Sequence, residues 1–96
     1  MAAAVLGAAL LGIEEEIDPG ESVIGNAYEV EDDLPAYRKF PANLRESAAR
    51  FDQSLSARRV FGDDFVDHFV LSRRHEASEY ERSINDWQLE RYFEII

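Results

Sequence analysis

The chain has 96 residues and carries 20 acidic against 10 basic side chains, a formal charge of -10. That balance excludes the basic face that nucleic acid phosphates require and disfavours an anionic membrane surface. There is no cysteine, which excludes disulfides, thiolate chemistry and Cys-based zinc sites, and the 46% of hydrophobic residues suffices for one small core, hence one domain or part of one.

Residues 1–17 open the chain. Ala2 to Glu16 is rich in alanine and leucine and predicts a helix of high propensity. Val5, Leu6, Leu10, Leu11 and Ile13 do not keep to one stripe, so this helix is expected to be buried on several sides. Full burial of these five is worth roughly 8–15 kcal/mol, as much as a whole domain's stability. The run from Ala2 to Ile13 is about 12 residues, short of the roughly 20 that cross a bilayer. No Lys or Arg precedes Arg38, so a signal peptide is not expected and the protein reads as soluble and cytoplasmic.

Residues 18–42 predict an irregular loop. Asp18-Pro19-Gly20-Glu21 is a turn signal, and residues 22–42 hold the acidic stretch Glu29 to Asp33 and two further prolines, Pro35 and Pro41. Residues 43–96 predict a helical segment. Asn43 with Glu46 three residues on has the form of a capping box, and Leu44, Ala48, Phe51 and Leu55 fall on one face of the helix that follows. A short helix through Arg58 and Val60 is expected to end near Gly62. Asp63 or Asp64 then starts a longer one, with Phe65 over Phe69, Val66 over Val70, and Ala77 and Tyr80 continuing the stripe. Arg73, Arg74, Glu76, Glu79, Glu81 and Arg82 are assigned to its wet side. Asn85 or Asp86 caps a last helix with Trp87, Leu89, Tyr92, Phe93, Ile95 and Ile96 as apolar members. No run alternates strictly enough for a strand. The expected fold is therefore all-α, four to five helices with a long irregular loop.

Candidate chemistry is sparse. The glycines at 7, 12, 20, 25 and 62 form no phosphate-binding pattern, and Lys39 is the single lysine. His68 and His75 lie seven apart on one helix, too far to share an ion unaided. A metal site with Asp64 and Glu76 competes with the simpler reading of two histidines among surface charges. The runs Glu14-Glu15-Glu16 and Glu31-Asp32-Asp33 read as solvated surface in preference to general acids. The serines have no base and orienter that the sequence can supply. Trp87, Tyr92 and Phe93 read as core or interface.

Several segments, in order, resemble the C-terminal part of the glutamine synthetase catalytic domain. They are Ala8-Ala9-Leu10-Leu11-Gly12-Ile13, Pro19-Gly20, Gly25-Asn26-Ala27-Tyr28, Leu34-Pro35, Phe40-Pro41-Ala42-Asn43-Leu44 and Phe61-Gly62-Asp63-Asp64-Phe65-Val66-Asp67-His68-Phe69. The stretch from Asp86-Trp87 to Arg91-Tyr92-Phe93 is similar to the closing helix of the γ-glutamylpolyamine synthetase-like branch. The resemblance implies an ATP-dependent ligase that phosphorylates glutamate and lets ammonia or an amine displace phosphate. Such enzymes use ATP with Mg²⁺ or Mn²⁺ and assemble as rings of subunits. Their metal and phosphate ligands lie upstream of the first helix of this chain, so no catalytic, cofactor-binding or metal residue is carried over. One position is: Tyr28 matches the tyrosine adenylylated in bacterial enzymes, usually set in Asn-Leu-Tyr-Asp-Leu, although here Ala27, Glu29 and Val30 replace the flanking residues. The competing reading of Tyr28 is a loop anchor.

Two functions follow as expectations. In the first, the chain is a segment of a glutamine synthetase-like ligase, inactive alone, whose partners are the remaining part of that ligase or identical subunits in a homo-oligomer. In the second, it is a stand-alone helical interaction module without catalysis, associating through the apolar first helix and the Trp87 to Ile96 helix.

Overall fold

The computed structural model describes residues 1–93 and 95. Among these the chain is all-α, with five α-helices: α1 (Ala2–Glu14), α2 (Leu44–Gln53), α3 (Leu55–Phe61), α4 (Asp63–Arg82) and α5 (Asp86–Tyr92). Two 3₁₀ turns, Glu31–Asp33 and Ala36–Arg38, punctuate the expected loop.

The helix boundaries follow local chemistry. Asn43 caps α2 by accepting from the Glu46 N–H at 2.9 Å. The Glu46 carboxylate does not return to Asn43 as a capping box requires; it accepts from Ala42 N–H, one residue earlier, at 2.9 Å. Ser54 ends α2 and caps α3, its hydroxyl accepting from Ala57 N–H at 3.1 Å. Gly62 separates α3 from α4 at φ +85°, a left-handed backbone that suits glycine. Asp63 and Asp64 then sit in the first turn of α4, where the helix dipole favours negative charge. Asn85 and Gln88 complete a reciprocal capping box on α5. α1 stops two residues short of the expected Glu16, which turns out of the helix at φ +51°. α5 stops at Tyr92, so Phe93 and Ile95 lie beyond it, and Ile96 lies outside the described residues.

The packed pairs are α1 with α3, α3 with α4, and α2 with α4; α5 takes no part in them. The buried apolar side chains are Leu11, Ala48, Val66, Val70 and Ala77, of which Val66 and Val70 are the large fully buried ones. Beside them runs an aromatic row: Phe51 meets Phe61 and Phe69 at 6.3 and 5.6 Å between ring centroids. Phe65 stacks on Phe69 at 5.7 Å and 11°. Arg73 is not a free surface charge, since its guanidinium lies 5.3 Å from the Phe69 ring centre.

Several expectations of burial fail, Leu44, Phe65 and Phe69 being 40% to 48% exposed. Leu55 leaves the α2 face because the chain breaks at Ser54, and it is 84% exposed. Tyr80 is exposed, because Ala77 is the last residue of α4 that is buried. Most consequentially, Leu11 alone of the five large residues of α1 is buried, and Val5, Leu6, Leu10 and Ile13 stay 61% to 74% exposed. α1 touches α3 along Ala4, Gly7, Ala8 and Leu11, so closely that a Cβ on Gly7 would come within 2.4 Å of Val60. The opposite face of α1 has no cover. The chain is accordingly a slab, 58 × 39 × 20 Å, with a radius of gyration of 18.0 Å; a compact domain of this length has about 13 Å.

The contrast between buried and exposed positions is measurable. Val66→Ala is expected to cost about 2 kcal/mol of stability in a denaturant titration, while Leu55→Ala stays within about 0.5 kcal/mol of the parent.

Candidate functional site

Tyr28 sits in an Asx turn, its N–H donating to Asn26 Oδ1 at 3.1 Å, with Gly25 at φ +85° before it. The ring is 88% exposed, so the side chain does not anchor the loop within this chain. Cations hold the loop instead. Arg38 donates to the carbonyls of Pro19 and Glu21 at 3.2 and 2.6 Å, Lys39 donates to that of Asp32 at 3.3 Å, and Arg50 of α2 donates to that of Lys39 at 2.7 Å. The result is an irregular segment fixed at its ends, presenting the phenol to solvent.

His68 and His75 are both exposed on α4, about two helical turns apart. Among the described residues no group of three His, Asp or Glu side chains is placed to hold a metal ion. The two acidic runs are exposed, and of the first one the Glu15 carboxylate pairs with Arg59 of α3.

The strongest charge cluster was not foreseen. Arg58 donates to the Asp52 carbonyl at 2.8 Å and to the carboxylates of Asp52, Asp63 and Asp67 at 2.7, 2.8 and 2.9 Å. Arg74 reaches the second oxygen of Asp52 at 2.9 Å. One guanidinium thus ties the end of α2 to the start of α4. Its side chain is only 23% exposed, and hydrogen bonds to Asp63 and then Asp67 raise its pKa above the ordinary arginine value. With every carboxylate engaged, the cluster is a structural junction. The sequence showed Arg58 as one basic residue in a helix; only the turns at Ser54 and Gly62 bring its three partners together.

A second pair clamps the outer end of the α2–α4 contact. Arg45 meets Glu81 through two bonds of 2.7 Å. The hydrogen bond to Arg45 lowers the Glu81 pKa, and its counterpart raises that of Arg45. Asn43, Leu44, Ala77 and Tyr80 complete the cleft around the pair.

Beyond the C-terminal end of α4, Ile84, Gln88, Leu89, Tyr92 and Phe93 line a largely apolar groove of about 420 Å³. Trp87 and Tyr92 meet edge to face at 6.0 Å, and the Arg91 guanidinium lies 6.0 Å from the Trp87 ring centre. Trp87, Leu89 and Phe93 are all more than half exposed. None of these aromatics is core in this chain.

The geometry therefore offers an exposed tyrosine on a pinned loop, two ionic clamps, and apolar helix faces. Comparison with known proteins gives this arrangement its context. A family model described as "Glutamine synthetase, catalytic domain" matches residues 1–92, and the chain belongs to the glutamine synthetase family. It is 37% identical over 94 residues to a glutamate–isopropylamine ligase from Pseudomonas, covering 98% of this chain and 20% of that protein. It is 35% identical to type-1 glutamine synthetase 2 of Dictyostelium discoideum, covering 98% and 18%. It is 34% identical to a γ-glutamylethanolamide synthetase of Streptomyces coelicolor, covering 96% and 19%. The chain thus spans about a fifth of the length of the curated relatives it matches. No solved structure matches it. No helix among the described residues is long and apolar enough to cross a membrane.

The Arg45–Glu81 clamp makes a pH-dependent contribution of definite sign. Because the folded-state pKa of Glu81 is depressed, the pair stabilises the fold above the ordinary carboxylate range. That contribution is lost as pH falls below the ordinary carboxylate range and through the depressed folded-state pKa. Glu81→Gln is expected to lower the urea midpoint at neutral pH, less so in high salt, and to leave it unchanged once the carboxylate is protonated.

Proposed function

We propose that the chain is the helical C-terminal segment of a glutamine synthetase-like, ATP-dependent ligase that joins glutamate to ammonia or an amine, and that it contributes packing surface and not ligands. The observation that carries this reading is the match of nearly the whole chain to about a fifth of the curated ligases. Uncovered apolar faces on α1 and around α5 support it, since a segment that completes a larger domain presents such faces to the rest of it.

The whole enzyme uses ATP with Mg²⁺ or Mn²⁺, and its subunits are identical copies in a cytoplasmic homo-oligomer. The residues described here do not fit the metal, so no step of the reaction is assigned to them. What they do is mechanical. Arg58 and the Arg45–Glu81 pair fix α2, α3 and α4 as one unit. Arg38 and Arg50 hold the loop that carries Tyr28. α1 and α5 offer apolar surface at the margins.

The pure 96-residue protein is expected to release no phosphate from ATP in the presence of glutamate, Mg²⁺ and ammonia or an alkylamine. Turnover above background, lost on heat denaturation, would contradict the assignment. Tyr28 is, in the same proposal, the position an adenylyltransferase modifies, because its hydroxyl stands open on a fixed turn. Mass spectrometry after incubation with such an enzyme and ATP is expected to show one adenylyl group, absent from Tyr28→Phe; an unchanged mass removes the assignment.

A further inference from the structure

The segment from Asp18 to Ala42 contains no buried residue, so packing does not set its shape. Most of its hydrogen bonds are local. The Glu29 N–H donates to the Asn26 carbonyl, that of Asp33 to Val30 and that of Leu34 to Glu31, each within a single turn. Among the described residues, the bonds of this segment that reach further than seven positions are those of Arg38 to the Pro19 and Glu21 carbonyls and that of Arg50 to the Lys39 carbonyl.

A single Arg38 nitrogen, Nη2, meets both carbonyls, at 3.2 and 2.6 Å. The turn that brings them to it is made at Gly20, which stands between them at φ +76° with its N–H held by Asp18 Oδ1 at 2.9 Å. That left-handed backbone suits glycine. A side chain at this position is strained by conformation and not by space, since a Cβ would meet Arg38 at an ordinary 3.6 Å. The donor is held as firmly as its acceptors. Arg38 closes the 3₁₀ turn Ala36–Arg38, and Arg50 of α2 grips the next carbonyl along at 2.7 Å. Glu21, Glu29, Glu31, Asp32 and Asp33 share the segment, yet Arg38 forms no ion pair among the described residues. Its bonds go to neutral carbonyls and are assisted by its own charge.

We infer that Gly20 and Arg38 form one latch, which opens and closes residues 22–37 as a unit. Closed, the latch ties the exit of α1 to α2 through Arg38, Lys39 and Arg50. Tyr28 lies between its two sides, seven residues beyond Glu21 and ten before Arg38, and is displayed in one place. Open, the intervening residues become a flexible tether, and the phenol sweeps a volume set by chain length alone. Loss of a charge-assisted bond shifts such an equilibrium by about tenfold. The inference rests on the geometry of the loop and holds whether or not Tyr28 is modified or the ligase assignment stands.

Limited digestion of the 96-residue protein with a glutamate-specific protease tests it, because cleavage follows the population of the open form when opening is fast. Glu29 and Glu31 lie inside the loop. Cleavage after them is expected to be about tenfold faster in Arg38→Gln than in the parent, and faster also in Gly20→Ala. Helical circular dichroism and the thermal midpoint stay unchanged in both, since neither change touches a buried residue. The double variant is expected to be cut no faster than Arg38→Gln, because either change opens the same latch. Equal cleavage of Arg38→Gln and the parent overturns the inference. A double variant in which the two increases multiply overturns it too, since Gly20 and Arg38 would then be separate restraints. Loss of helical signal in Arg38→Gln also contradicts it, because the residue would then support the helices and not the loop.

Discussion

The seating of α4 against α2 and α3 is the interaction on which the rest of this molecule depends. Val66 and Val70, one turn apart, are its large fully buried side chains, and Ala48 and Ala77 extend it by small contributions. A core this thin holds one unit of three helices and little more. α1 adds only Leu11 to it, and α5 adds none of its side chains. The slab shape and the uncovered apolar faces follow from that shortage of buried contact.

Charge compensates where burial is thin. The chain breaks twice within ten residues, at Ser54 and at Gly62, and each break would let neighbouring helices swing. Arg58 spans both breaks by binding Asp52 before them and Asp63 and Asp67 after them. A planar guanidinium with several donors suits that task in a way that a lysine ammonium does not. Arg45 with Glu81 repeats the device at the far end of the α2–α4 contact. Both clamps bridge helices, whereas the Arg82–Glu79 pair stays within one turn of α4. With so few residues buried, these inter-helix clamps set the angle at which α2 and α4 meet.

Much of the fold was legible because helix ends are written in local chemistry. Asn43, Gly62 and Asn85 each mark a boundary by a side-chain bond or a backbone conformation that depends only on neighbours. Burial was less legible, because it depends on what lies across the helix. Tyr80 continued the α4 pattern yet stays exposed at the rim of the α2–α4 cleft, and Val5, Leu6, Leu10 and Ile13 carried every mark of a core helix without finding one here. The Arg58 junction was invisible for the same reason: its partners lie six, five and nine residues away, across two turns. The family was legible from ordered short segments such as Gly25-Asn26-Ala27-Tyr28, whose loop geometry the structure supplies in the Asx turn at Asn26. Which amine a ligase of this kind takes was not legible in this sequence.

In the proposed ligase, the apolar helix faces that are surplus in this chain are interface. Replacing the matching segment of the Pseudomonas glutamate–isopropylamine ligase by this chain tests that idea most directly, since the two are 37% identical over 94 residues. The account predicts a soluble chimera that still couples ATP and glutamate to amide formation, with the α1 amides protected from hydrogen exchange. A chimera that folds around the grafted segment but leaves α1 unprotected and is inactive would contradict it.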